Sequence, residues 1–192
     1  MSETLQAPVR PALANFVGGE WLPSQSGETY EKRSPIHPAE VIGDLPASGA
    51  EDVEAAVAAA AEAFPGWSGL PMAGRAAVLT KAAAAIEARV EDMAQDMTLE
   101  MGKPLREARM EAARTAAIFR YFAGEAWRPV GELYEQSANG QPVHTIRRPI
   151  GVVGLITPWN FPAAIPAWKA APALFYGNTF VMQLAQEAPL TG

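Results

Sequence analysis

The hydrophobic pattern changes period along the chain, and each change marks an element. Short alternating runs come first. Asn15-Phe16-Val17 and Glu20-Trp21-Leu22 flank Gly18-Gly19 and predict two short strands joined by a tight turn. Thr29–Arg33 and Val41–Leu45 predict a second extended pair, connected through Ser34-Pro35 to His37-Pro38. A helical period then takes over at Glu51. Val53, Val57 and the Ala60/Ala61 pair share one face, Glu51 and Asp52 occupy the first turn, where the helix dipole favours acids, and Pro65-Gly66 predicts the end. Met72–Met101 is helical in pattern with a break near Ala88–Glu91, and Gly102 is its expected C-cap. Lys103-Pro104 opens a further helix running to about Ala126, with Ala108, Ala112, Ile118, Phe119 and Phe122 on its apolar face. The many alanines on these faces allow close helix packing.

The period then returns to two. Glu132–Gln136 and Gln141–Arg148 flank Ser137-Ala138-Asn139-Gly140, and Asn-Gly between extended runs signals a hairpin because both residues tolerate positive φ. Leu133, Val143 and Ile146 alternate with Glu132, Glu135, Gln141, His144 and Thr145, so the ribbon has one half-buried face. A lone two-stranded ribbon is marginal in water, which predicts that it rests on something, such as another subunit. The tail reads as β-α-β: a continuous apolar strand over Gly151–Ile156, a helix over Ala163–Phe175, a stop at Gly177-Asn178 and a strand over Thr179–Gln183. That order predicts a buried parallel pair in an α/β fold. Residues 1–14, with prolines and no period, predict a frayed leader.

Composition narrows the class. The chain has 192 residues, 49% of them hydrophobic and 19% charged, as expected of one ordinary globular unit. A formal net charge of -6 argues against a general nucleic-acid or anionic-membrane surface. No apolar run approaches the ~20 residues of a membrane span. Met1-Ser2-Glu3-Thr4 shows no basic region followed by an apolar stretch, so a cytoplasmic location is expected. There is no cysteine, hence no disulfide, thiolate metal site or thiol nucleophile within these residues.

The candidate chemistry sits behind the first tail strand. In open parallel sheets ligands bind at the carboxyl ends of the strands. Thr157-Pro158-Trp159-Asn160 occupies such an end, and the helix N-terminus that follows adds free N–H groups. Asn160 has two readings: its amide donates to a developing oxyanion, or its side chain caps the next helix. His37 and His144 stand in unrelated contexts, and no metal site is expected. Glu107, Arg109, Glu111 and Arg114 at helical spacing read as a solvated, salt-bridged face. Trp21, Trp67, Trp127 and Trp168 read as packing or interface residues.

Six segments, in order, carry a family resemblance. They are Phe16-Val17-Gly18-Gly19-Glu20-Trp21, Glu100-Met101-Gly102-Lys103-Pro104, Phe119-Arg120-Tyr121-Phe122-Ala123-Gly124, Arg148-Pro149 through Phe161-Pro162, Ile165-Pro166-Ala167-Trp168-Lys169, and Ala171-Pro172-Ala173-Leu174 to Gly177-Asn178-Thr179. Together they resemble the NAD(P)-dependent aldehyde dehydrogenase superfamily, specifically its N-terminal part. The resemblance implies an incomplete cofactor domain over 15–128 and 150–192, interrupted by an oligomerisation hairpin over 129–149. It implies aldehyde oxidation with NAD or NADP, and a homo-oligomer in the full-length form. It gives Asn160 the role of oxyanion donor, lines the dinucleotide with Ile156, Thr157, Pro158 and Trp159, and links Lys169 to proton transfer. By itself Lys169 also reads as a solvated or ion-paired helix lysine. Where the family usually carries a Lys and a Glu or Ser on the ribose hydroxyls, this chain has Gln183 and Gln186. Neutral bonds are roughly half as strong as charge-assisted ones, so a weaker cofactor grip is expected. The family's catalytic Cys and general-base Glu belong to later sequence. The expectation is therefore a chain inactive alone, the alternative being a non-catalytic relic that acts at most as a weak dinucleotide-binding or assembly module.

Overall fold

A computed structural model describes residues 14–129, 131–134 and 140–192. The expected leader and the Ser137–Asn139 turn lie outside the described residues, apart from Ala14. Strands β1 (Asn15–Val17) and β2 (Glu20–Leu22) pair antiparallel around Gly18 and Gly19, both at positive φ. β3 (Thr29–Arg33) and β4 (Val41–Pro46) form a second antiparallel pair with a register shift between Lys32 and Arg33.

The helices are α1 (Ala50–Ser68), α2 (Met72–Ala88), α3 (Val90–Met101) and α4 (Leu105–Gly124), followed by a short 3-10 turn over Glu125–Trp127. Asp52 starts α1 by accepting from the N–H of Gly49 at 2.9 Å and of Gln25 at 2.9 Å. The helix does not stop at Pro65 as its sequence predicts, but runs through to Ser68. Proline withdraws one N–H and crowds one carbonyl, and here both effects fall near the last turn. Trp67 fixes that turn by donating its indole N–H to the Leu174 carbonyl at 3.0 Å. The Val53–Val57 stripe is exposed, and α1 turns Ala56, Ala60, Phe64 and Trp67 inward instead. The break between α2 and α3 falls at Arg89, and Gly102 caps α3 with φ 76° while donating to Thr98 at 3.0 Å.

β5 (Leu133–Tyr134) and β6 (Val143–His144) form the ribbon, with Leu133 opposite His144. β7 (Val152–Ile156) and β8 (Thr179–Gln183) are parallel, joined by α5 (Ala164–Phe175). Asn178 sets the spacing of this unit: its Oδ1 accepts from the N–H groups of Ile150 at 2.7 Å and Gly151 at 3.1 Å, and its Nδ2 donates to Ala173 at 3.2 Å. β7 is less covered than its continuous apolar run predicts. Among the described residues its sheet has two strands, and Ile156 is 81% exposed.

α1 and α5 both pack on the β7–β8 pair, and α5 packs in turn on α2 and α4. Leu79, Ile118, Ala167, Ala171 and Phe175 form the larger core. Ala94, Met97, Ala108, Ala112 and Ala163 form a second, against the N-terminal end of α5. Arg75 is buried, and among the described residues no carboxylate pairs with it. Its guanidinium donates to the carbonyls of Phe175 at 2.8 Å, Ser68 at 3.2 Å and Leu70. It thus sits against the carbonyl-rich ends of α5 and α1, where helix dipoles favour a cation. No helix among the described residues is long and apolar enough to cross a membrane.

Candidate functional site

The parallel register decides which predicted residues meet. Ile156 stands opposite Gln183, and the Thr157 N–H reaches the Gln183 carbonyl at 3.4 Å. The two strand tips therefore lie side by side, carrying Ile156 and Thr157 on one and Gln183 on the other. Ile156 and Trp159 are exposed while Thr157 is buried, so the tip presents apolar surface above a buried hydroxyl. Pro158, Gln183 and Gln186 are exposed as well. Lys169 lies mid-helix on α5, exposed, and no hydrogen bond or ion pair joins it to the strand tips among the described residues. Beside it the Arg114 guanidinium lies 5.1 Å from the Trp168 ring centroid.

The two readings of Asn160 separate here. α5 begins after Ala163 with no side-chain cap of its own, so Asn160 does not cap it. That work falls to Glu111 on α4. Its Oε1 accepts from the N–H groups of Ala163 at 3.0 Å and Ala164 at 3.1 Å. A carboxylate at a helix N-terminus satisfies orphan donors and complements the dipole. The Asn160 side chain is left exposed at the tip.

Glu111 corrects the solvated-face reading of α4. Its side chain is 2% exposed, and its Oε2 pairs with Lys103, itself 9% exposed. Lys103 also donates to the Asn160 carbonyl at 2.9 Å and lies 4.3 Å from the Phe161 ring centroid. Arg109 does form a surface pair, with Glu91 at 2.7 Å. The signal that marks Glu111 is positional: Ala108, Ala112 and Thr115 place it inside the buried stripe of α4.

Glu100 is the second buried carboxylate. Its Oε2 accepts from the Leu190 N–H at 2.6 Å, and its Oε1 from the Thr191 N–H at 3.0 Å and the Thr191 hydroxyl. Burial pushes its pKa up to about 7, Asp96 adds to the rise, and the Thr191 hydroxyl and the two N–H donors oppose it. The Glu100 and Lys103 roles escaped sequence reasoning, although both residues lie in the motif Glu100–Pro104.

The sequence profile described as "Aldehyde dehydrogenase family" matches residues 21–192. An α-ketoglutaric semialdehyde dehydrogenase of Bacillus subtilis (strain 168) is 48% identical over 177 residues, covering 92% of this chain and 36% of that protein. An α-ketoglutarate semialdehyde dehydrogenase of Haloferax volcanii is 41% identical over 175 residues, covering 91% of this chain and 36% of that protein. Among solved structures, an aldehyde dehydrogenase from Brucella melitensis biovar abortus 2308 superposes with a TM-score of 0.90 at 39% identity, over 97% of this chain and 39% of that one. A PnpE structure in complex with nicotinamide adenine dinucleotide superposes with a TM-score of 0.84 at 40% identity, over 90% of this chain and 35% of that one. The chain thus spans about a third of the length of the curated relatives it matches (36% of each of the two above).

Proposed function

The chain belongs to the aldehyde dehydrogenase family, and from that premise we propose that it supplies the oxyanion donor and one dinucleotide wall of an aldehyde-oxidising site. The observation that carries the reading is the side-by-side placement of the β7 and β8 tips, with Asn160 free at the end of one of them. Exposed Ile156 and Trp159 suit the apolar faces of a dinucleotide. Gln183 and Gln186 are exposed amides suited to ribose hydroxyls. They are neutral, and they hold NAD or NADP more weakly than a charged pair. A bound nicotinamide would accept a hydride from the aldehyde carbon once a nucleophile had added to it; these residues supply the oxyanion donor and not that nucleophile. Asn160 donates its amide N–H to the substrate oxygen as negative charge gathers there, a contact typically worth roughly 2.7–4 kcal/mol in the transition state. A proton-transfer role for Lys169 rests on the family resemblance alone, since it stands exposed in mid-α5 with no bond to the strand tips among the described residues. These residues contain no thiol, so the chain alone has no cysteine nucleophile and turns over no aldehyde.

The relatives named for semialdehydes support a substrate of that class, an aldehyde carrying a carboxylate at its far end. The ribbon serves oligomerisation, supported by Leu133, Val143 and Ile146 standing exposed on it. The test has two arms. NADH titrated into the isotope-labelled chain is expected to shift backbone signals at 156–160 and at 183–186, and no shift at either tip overturns the dinucleotide wall. The chain with NAD or NADP and a semialdehyde panel is expected to form no reduced cofactor, and sustained turnover overturns the non-catalytic assignment.

A further inference from the structure

Glu100 and Lys103 stand on either side of the left-handed Gly102, and they reach in different directions. Glu100 holds the backbone of Leu190 and Thr191, downstream of β8. Lys103 holds the carbonyl of Asn160, downstream of β7. Glu111 completes the second grip by binding Lys103 with one oxygen and the first N–H groups of α5 with the other. One short segment therefore touches the loops behind both strand tips.

We propose that Glu100, Lys103 and Glu111 are positioning residues, forming a bracket that fixes the Asn160 turn relative to the segment behind β8. The bracket is geometry, and its consequence for dinucleotide and substrate rests on the function proposed above. None of the three contacts the reacting atoms. They act through the Asn160 peptide and through the 190–191 backbone.

Three features favour positioning over bulk support. A buried ion pair is a poor source of net stability, because desolvation offsets its attraction, and an apolar replacement is often as stable. The bonds end on main-chain atoms of the turn that carries the Asn160 amide, where a shift of even 1 Å matters to chemistry. Lys103 has its donors engaged from several sides, by Glu111, by the Asn160 carbonyl and by the Phe161 ring face. Such a set holds an orientation, which one bond does not.

The test uses the whole 192-residue chain with Lys103→Met, Lys103→Arg and Glu111→Gln. Lys103→Met removes the charge-assisted bonds to Glu111 and to the Asn160 carbonyl, and is expected to speed amide exchange at Ala163 and Ala164 at least about tenfold. The Asn160 side-chain amide signal is expected to move, while exchange at Leu79 and Ala83 stays as in the parent. Lys103→Arg restores the donor and is expected to recover protection in part. Glu111→Gln keeps one acceptor oxygen for α5, and is expected to move the Asn160 signal while α5 stays formed. NADH affinity is expected to fall about fivefold or more in Lys103→Met, a difference of about 1 kcal/mol. Unchanged exchange at Ala163 and Ala164 with an unmoved Asn160 signal overturns the bracket, and so does a loss of protection spread evenly over the chain. A parent chain that fails to bind NADH overturns the dinucleotide reading alone, since the exchange pattern still decides the bracket.

Discussion

Replacing Glu100 with Gln gives a sharp measure of what its buried carboxylate does. Glu100 is fully buried on α3, and its pKa is raised from 4.5 to about 7, chiefly by burial. The folded chain therefore binds a proton between about pH 4.5 and 7 that the unfolded chain releases. Stability from this group is fully present below the unfolded pKa and is lost as pH rises through the folded one. At about 1.36 kcal/mol per pH decade, the displacement from 4.5 to about 7 withdraws roughly 3 kcal/mol across that window. For a chain of this size each kcal/mol moves Tm by roughly 2–4 °C, so the window is worth about 6–12 °C. The Leu190 N–H, the Thr191 N–H and the Thr191 hydroxyl all donate to the carboxylate, and so moderate the rise that burial imposes.

Glu100→Gln has no proton to exchange. Its amide offers one acceptor oxygen where Leu190 and Thr191 present two N–H groups, so one of them faces an NH2 group. That mismatch costs about 1–3 kcal/mol. The assay is thermal and urea unfolding of parent and variant at several pH values from 4.5 to 8.5. The parent is expected to exceed the variant most at the low end of the range, about pH 4.5, with the gap shrinking by roughly 3 kcal/mol by about pH 8. Taking the difference cancels surface carboxylates such as Glu87 and Glu91, whose pKa values are lowered by Arg120 and Arg109. A gap that stays constant, or widens with pH, refutes the reasoning.

Three further outcomes follow from the packing. Arg75→Lys keeps the charge but cannot bridge the carbonyls of Phe175 and Ser68 together, and a loss of about 1–3 kcal/mol in urea unfolding is expected. Gly102→Ala puts a Cβ at a backbone φ of +76°, 3.4 Å from Ile36 Cγ2, and a cost of about 1–2 kcal/mol is expected in the same measurement. Phe175→Ala empties the centre of the larger core, where the ring is fully buried and stacks edge-on with Tyr176 at 5.0 Å. A loss of about 3–5 kcal/mol is expected, read as a drop in Tm or outright failure to fold.

The parts of this fold legible in the sequence are those whose cause is local. Gly18-Gly19 makes its own turn, Gly102 ends its own helix, and the apolar run, the helix and Asn178 assemble a β-α-β unit from neighbouring residues. What escaped depends on partners far along the chain. Pro65 reads as a stop because nothing near it says that Trp67 will reach Leu174. Val152–Ile156 reads as buried because a run of apolar residues states what a strand tolerates, while its cover is set by other segments.

The site divides along the same line. Asn160 is visible as a residue type at a strand tip, and whether it caps α5 or faces outward is undecidable from its neighbours. The choice is made by Glu111, which takes the Ala163 and Ala164 N–H groups and so leaves the asparagine nothing to cap. A charged residue on an amphipathic helix usually marks the wet side. Glu111 breaks that rule because Lys103 and two helix N–H groups offset its desolvation. A buried charge that breaks the local pattern is where sequence logic yields to tertiary logic, and here it stands directly behind the residue proposed to meet the substrate oxygen.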